Sequence, residues 1–127
     1  MKKIRLLLVD DETDFLNAYA RRFVRRNVEI TSATSGQEAI DKIREDEFDV
    51  VILDVMMPGM NGLETLRRIK AIEPELPVII LTGHADSRAL IEGMDMGAFD
   101  FLLKPVGTDE LYFKVLDAVR ARHRGQP

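Results

Sequence analysis

The sequence contains no cysteine, which excludes disulfide bonds, thiolate metal sites and cysteine nucleophiles. It also lacks any run of about 18 apolar residues, the length that a membrane span needs. The apolar stretch after Met1 is interrupted at Asp10, too early for an export signal. Neither sign of charge dominates, since 18 basic and 22 acidic side chains leave a net charge of −4, which argues against nucleic acid as a direct partner. We therefore expect a cytoplasmic protein that binds neither membrane nor nucleic acid.

The length of 127 residues suits one domain with its own hydrophobic core. Apolar runs alternate with helical patterns five times along the chain. The runs at 49–54 and 77–81 are apolar almost throughout, which is typical of central strands covered on both faces, whereas 28–33 alternates and is better placed near an edge. The predicted strands are 4–9, 28–33, 49–54, 77–82 and 99–103.

Helical patterns fill the segments between these strands. Ser35 and Glu38 form a capping box at the start of the second helix, and Gly97 follows the fourth, where a left-handed residue commonly ends a helix. The predicted helices cover 13–26, the segment from Ser35 through Ile43, the segment from Asn61 to before Pro74, 86–96, and 108–122. Strands of about six residues joined by helices predict a single five-stranded parallel sheet with right-handed crossovers. We expect one domain over 1–122 and a C-terminal tail or start of a linker over 123–127.

Chemically useful side chains stand at the ends of four predicted strands. Asp10 and Asp11 follow the first strand, Asp54 closes the third, Thr82 closes the fourth and Lys104 follows the fifth. Ligands of open α/β sheets bind beyond the carboxyl ends of the strands, so these groups should meet. Three acids in one crevice repel one another unless a cation is present, and oxygen ligands without histidine or cysteine favour Mg²⁺. A carboxylate in such a crevice can accept a phosphoryl group as an aspartyl phosphate.

Four segments of the sequence resemble the receiver domain of bacterial two-component response regulators. They are Leu8-Val9-Asp10-Asp11-Glu12, Leu53-Asp54-Val55-Met56-Met57-Pro58-Gly59-Met60-Asn61-Gly62, Leu81-Thr82-Gly83 and Phe101-Leu102-Leu103-Lys104-Pro105. Together, and in this order, they span nearly the whole chain. The resemblance implies an α/β, doubly wound (βα)5 fold with the flavodoxin-like strand order 2-1-3-4-5. It also implies a phosphorylation-dependent signalling switch, whose only chemistry is self-catalysed phosphotransfer and autodephosphorylation rather than enzymatic turnover.

The resemblance assigns roles to the residues at the predicted crevice. Asp54 is implied to be the phosphoacceptor. Asp11 and Asp54 are implied to bind Mg²⁺ directly, with Asp10 acting largely through water and the backbone carbonyl of Met56 as a further ligand. Lys104 is implied to bind a phosphoryl oxygen through its ammonium group.

The resemblance also implies how the signal would leave the site. Thr82 would move toward the phosphoryl group and Phe101 would turn inward as an aromatic switch. The Lys104-Pro105 peptide bond would be cis. His84 and Met56, at the mouth of the site, would tune the lifetime of the phosphoryl group.

The implied partners follow from the same family. A sensor histidine kinase or a histidine phosphotransfer protein would donate the phosphoryl group. The face formed by residues 86–122 would pass the signal to an output domain or a partner protein, and a homodimer induced by phosphorylation is a further possibility within the family.

Two other classes of function share parts of this pattern. A phosphohydrolase of the haloacid dehalogenase type also uses an aspartate nucleophile and Mg²⁺, but it requires a second aspartate two residues after the first. This chain has Met56 two residues after Asp54 and Glu12 two residues after Asp10, so the Asp-x-Asp pattern is absent at both positions. A flavodoxin-like flavin carrier needs a phosphate loop rich in serine, threonine and glycine after the first strand, where Asp10, Asp11 and Glu12 would repel a phosphate unless a metal ion is bound.

Overall fold

The protein is described by a computed structural model that covers residues 3–23, 26–55, 62–83 and 88–124. Within them, five parallel strands form one sheet in the order β2-β1-β3-β4-β5. The strands are β1 (Ile4–Val9), β2 (Val28–Ala33), β3 (Val50–Asp54), β4 (Val78–Thr82) and β5 (Asp100–Leu103). The helices are α1 (Thr13–Phe23), α2 (Gly36–Glu45), α3 (Gly62–Ile72), α4 (Arg88–Asp95) and α5 (Thr108–Arg124). The predicted doubly wound (βα)5 fold is confirmed, including its strand order.

The hydrophobic core lies on both faces of the sheet, because successive residues of a strand point to opposite sides. Leu7, Leu53 and Ile80 face the layer of α2, α3 and α4. Leu6 and Ile52 face the layer of α1 and α5. Every residue of β3 and β4 is buried, which explains why these two segments are apolar without alternation.

Strand register brings the predicted site residues side by side. Val9 of β1 pairs with Leu53 of β3, so the residues that follow them in sequence, Asp10 and Asp54, lie next to each other at the carboxyl edge. Thr82 of β4 pairs with Leu103 of β5, so Lys104 follows directly beside it. The pairing of the strands therefore brings four predicted site residues to the carboxyl ends of four adjacent strands: Asp10, Asp54, Thr82 and Lys104.

The ends of the helices agree with most of the predicted signals. Ser35 caps α2, since its hydroxyl oxygen accepts a hydrogen bond from the Glu38 N–H at 3.1 Å. The Glu38 carboxylate accepts one in return from the N–H of Thr34 at 2.6 Å, one residue before the cap itself. Gly97 has a φ of 101° after α4, the left-handed conformation that its position predicted. The sequence predicts that the first helix extends to residue 26. The structure describes α1 as Thr13–Phe23, and residues 24–25 lie outside the described part of the chain.

The C-terminal helix α5 continues to Arg124. The division into a domain over 1–122 and a tail over 123–127 stays a prediction, and residues 125–127 lie outside the described residues. Among the helices of the described ranges, none has the length and apolar character required to cross a membrane.

Gly62→Ala is expected to lower the free energy of unfolding by about 1–3 kcal/mol, the usual effect of inserting a methyl group into packed structure. A Cβ atom at Gly62 would lie 2.1 Å from the Cα atom of Val55, so backbone must move to admit it. Gly107→Ala is the matched control, because a Cβ atom there meets nothing within 4 Å. Urea unfolding of both variants measures the difference, and an equal midpoint for the two would contradict the predicted clash.

Candidate functional site

Asp10 is held rigidly at the carboxyl end of β1 and is completely buried. Its N–H donates a hydrogen bond to the carbonyl of Ala33 at 3.0 Å, which continues the pairing of β1 with β2. One carboxylate oxygen accepts from the N–H of Glu12 at 3.0 Å and the other from Nζ of Lys104 at 2.7 Å. Burial raises the pKa of Asp10 above its usual value, and the two hydrogen bonds oppose that shift.

Asp54 is the last residue of β3 and is 6% exposed. Its Oδ2 atom lies 3.4 Å from Nζ of Lys104, the same ammonium group that binds Asp10. A carboxylate at the end of a fully buried strand requires such compensation, because desolvation of an unpaired charge is costly. Asp54 is therefore a buried carboxylate at the rim that shares one ammonium group with Asp10.

Lys104 joins the end of β5 to the carboxylates of the rim. Its N–H donates to the carbonyl of Thr82 at 2.8 Å, and Thr82 itself is buried. Its ammonium group lies 2.7 Å from Asp10, 3.0 Å from Glu12 and 3.4 Å from Asp54. Burial alone would lower the pKa of Lys104, but the hydrogen bonds to Asp10 and Glu12 raise it well above its ordinary value. The peptide bond that follows, to Pro105, is cis.

The acidic side chains that the structure brings together are Asp10, Glu12 and Asp54. One carboxylate oxygen from each lies within 4.8 Å of the other two. Two oxygens on opposite sides of an octahedral Mg²⁺ are separated by about 4.2 Å, twice the usual bond length. The donor set, made only of hard oxygen ligands, thus fits a divalent cation of this type.

Not every predicted site residue lies within that set. Asp11 is exposed and is not one of the three clustered acids. Glu12, for which the sequence predicts no role of its own, takes part through its contact with Lys104. The signal in the sequence that points to Glu12 is its position two residues after Asp10. Its N–H donates a hydrogen bond to the Asp10 carboxylate and forms a turn there. Met56 and His84 lie outside the described residues.

Phe101 lies on β5 with its side chain turned toward solvent, at 38% exposure. In the same structure Thr82 is fully buried at the end of the neighbouring strand. Phe101 pairs in register with Ile80 of β4, two residues before Thr82. The two residues predicted to act as a switch are thus on adjacent strands, with the aromatic ring in an outward position.

Comparisons with known proteins agree on one family. The model of the response regulator receiver domain matches residues 6–116. The transcriptional regulatory protein ZraR of Escherichia coli is 33% identical over 120 residues, covering 94% of this chain and 27% of that protein. A protein-glutamate methylesterase/protein-glutamine glutaminase of Bacillus licheniformis is 40% identical, over 97% of this chain and 38% of its own length. The crystal structure of a response regulator receiver domain protein from Clostridium thermocellum superposes with a TM-score of 0.90, at 34% identity and with 97% and 99% of the two chains covered. This chain therefore spans about a quarter to two fifths of the length of these two longer relatives.

Proposed function

The chain belongs to the response regulator receiver family, the phosphorylation-dependent domains of two-component signalling, and from this we propose that Asp54 is its phosphoacceptor. The observation that supports this assignment is the position of Asp54 at the end of β3, where it shares the ammonium group of Lys104 with the buried Asp10. An anionic nucleophile beside a fixed cation suits attack on phosphorus, because the incoming phosphoryl oxygens need positive charge nearby.

The proposed reaction transfers the phosphoryl group from a donor to the carboxylate of Asp54. A carboxylate oxygen of Asp54 forms a bond to phosphorus while the bond from phosphorus to the donor breaks, and the donor leaves with that electron pair. Lys104 binds an equatorial oxygen of the phosphoryl group, for which its Nζ atom is already 3.4 Å from Asp54. The Thr82 hydroxyl donates to another oxygen after the side chain turns toward the rim. Water attack on the same phosphorus breaks the bond from phosphorus to the Asp54 oxygen and releases inorganic phosphate, so the chain returns to its starting state.

We propose Mg²⁺ as the cation of this site. It would be held by Asp10 and Asp54 together with one of the two neighbouring acids, Asp11 or Glu12. When bound, Mg²⁺ offsets the negative charge that the carboxylates and the phosphoryl group bring together. The backbone carbonyl of Met56 is a further proposed ligand. His84 and Met56 are proposed to tune the lifetime of the phosphoryl group from the mouth of the site.

Mg²⁺ is expected to stabilise the folded protein, since a ligand at 100 times its dissociation constant adds about 2.7 kcal/mol to the free energy of unfolding. Thermal unfolding in EDTA and in increasing Mg²⁺ measures this effect. Asp10→Asn should weaken it, because the substitution removes an anionic oxygen from the clustered set. Asp41→Asn on the exposed face of α2 is the matched control. Equal stabilisation of both variants would place the ion elsewhere.

The face formed by residues 86–122 is proposed to pass the signal on. Ile91, Phe101, Leu103 and Phe113 are large apolar side chains that remain between 38% and 60% exposed on α4, β5 and α5. Exposed apolar groups of this kind mark surfaces for protein contact. Turning Phe101 inward after Thr82 moves would change this surface. We propose that it contacts an output domain or partner protein, or a second phosphorylated copy.

The proposed donor is a sensor histidine kinase or a histidine phosphotransfer protein, and we propose that the reaction takes place in the cytoplasm. Intact mass after incubation with acetyl phosphate tests the chemistry without the kinase. We expect the gain of one phosphoryl group with Mg²⁺ and none with EDTA. Continued release of phosphate from added phosphate esters, with many phosphate groups released per protein chain, would instead favour the phosphohydrolase hypothesis.

A further inference from the structure

We propose that Phe15 of α1 is a positioning residue for Lys104, whose ammonium group it holds over the face of its ring. Nζ of Lys104 lies 4.6 Å from the centroid of the Phe15 ring. A cation within about 6 Å of a ring centroid is attracted by the negative face of the π system. The inference rests on the proposed function, because it matters to phosphotransfer only if Lys104 binds the phosphoryl oxygens.

The surroundings of this contact strengthen it. The Lys104 side chain is 19% exposed and the Phe15 residue is half-buried, so water screens the attraction less than at an open surface. Ammonium has three N–H donors, and three carboxylates lie within 3.4 Å of Nζ. The Phe15 ring therefore provides a fourth, uncharged contact for the Lys104 ammonium group, in addition to the three carboxylates.

The ring differs from those carboxylates in one functional respect. Asp10, Glu12 and Asp54 are also the clustered oxygen ligands of the site, so a bound cation would compete with Lys104 for them. An aromatic ring is a poor ligand for a hard cation, which prefers oxygen. The contact with Phe15 thus persists when the carboxylates engage a metal ion, and it keeps the ammonium group at the rim for the incoming phosphoryl oxygens.

Phe15 is itself fixed relative to the loop that bears Lys104. Its ring packs on Tyr19, one helical turn later, with centroids 4.6 Å apart. Tyr19 is buried, and its hydroxyl donates a hydrogen bond to the carbonyl of Val106, two residues after Lys104. Helix α1 accordingly contacts this loop at two points, with one ring on the ammonium group and one hydroxyl on the backbone.

Packing alone would make a different prediction for Phe15. If the side chain only filled apolar space beside α5, a leucine would serve nearly as well and fluorination of the ring would have little effect. If the ring face holds the cation, both changes weaken the contact, whereas tyrosine preserves it. The electronic character of the ring therefore separates the two roles.

The test compares Phe15→Leu, Phe15→Tyr and 3,4,5-trifluorophenylalanine at position 15. Phosphorylation by acetyl phosphate at saturating Mg²⁺ is resolved into a maximal rate constant and a half-saturating donor concentration. We expect the maximal rate constant to fall about fivefold, equivalent to about 1 kcal/mol, in the leucine and trifluoro variants and to stay within about twofold in the tyrosine variant. The trifluoro side chain keeps the shape of phenylalanine, so it remains informative if leucine disturbs folding. Phe48→Leu is the control. The Phe48 ring also lies near a cation, 5.6 Å from Cζ of Arg5, but at the amino ends of the strands and not at the proposed site.

A spectroscopic measurement needs no phosphorylation at all. The side-chain protons of Lys104 should show an upfield ring-current shift that is present with phenylalanine or tyrosine at position 15 and lost with leucine. A wild-type maximal rate constant of phosphorylation in both the leucine and trifluoro variants, or an equal loss with tyrosine, would overturn the inference. Lys104→Ala is measured alongside. If that variant is phosphorylated as fast as wild type, the proposed role of Lys104 is wrong; if it is slow while both Phe15 variants are not, only the role of Phe15 is.

Discussion

Asp54→Asn is expected to abolish the gain of one phosphoryl group from acetyl phosphate. Asparagine has nearly the same shape as aspartate, but its amide oxygen carries no full negative charge and is a poor nucleophile toward phosphorus. The substitution also removes one of three like charges at the rim, so we expect the variant to remain folded. Intact mass spectrometry with Mg²⁺ present, together with urea unfolding of the same sample, separates loss of chemistry from loss of structure.

Two further variants make this experiment specific to one position. Asp14→Asn changes an exposed acid in the first turn of α1 and should gain the phosphoryl group as wild type does. Asp10→Asn should slow the gain without removing the acceptor, because Asp10 is proposed to act on the cation and on Lys104. A stable gain in Asp54→Asn would show that another side chain accepts the group, and peptide mapping would identify it.

The parts of the site that the sequence predicted are those at strand ends. Asp10, Asp54, Thr82 and Lys104 each end or follow an apolar run, and parallel pairing leaves such residues no alternative to a common rim. One strand boundary differs from its prediction. Strand β3 begins at Val50 rather than at Asp49, because the Asp49 carboxylate accepts the N–H of Arg5 at 2.8 Å and closes the ladder with a side chain.

The contacts that the sequence did not predict join residues far apart in the chain. Glu12 reaches Lys104 across 92 positions, and the Phe15 ring lies under the same ammonium group. Neither residue has a local pattern beyond an acid in a turn and an aromatic on a helix face, and both patterns are common without any function. Only the return of the β5–α5 loop to the start of α1 places them at the site.

The largest effect on stability is expected from Lys104→Met, which keeps most of the aliphatic stem and removes the charge. Asp10 is fully buried, and breaking a buried ion pair by deleting one partner costs about 3–5 kcal/mol. We expect a loss of that size in the free energy of unfolding at pH 8 in EDTA. The raised pKa of Lys104 means that the wild-type contribution is complete below its ordinary value of 10.5 and is lost only as pH rises beyond it.

The same variant should recover stability as pH falls. The pKa of Asp10 in the folded state is above its usual value, so the native protein binds a proton at the Asp10 carboxylate more tightly than the unfolded chain does. Protonation of Asp10 therefore favours folding at lower pH, and its ionisation opposes folding as pH rises. The destabilisation by Lys104→Met should thus be clearly smaller at pH 5 than at pH 8. Adding Asp10→Asn to the variant should remove most of this pH dependence, since no buried carboxylate is then left unpaired at that position. The loss in the free energy of unfolding could instead be the same at both pH values and in the double variant. That result would attribute the loss to packing of the lysine stem, and the ion pair would have no measurable part in stability.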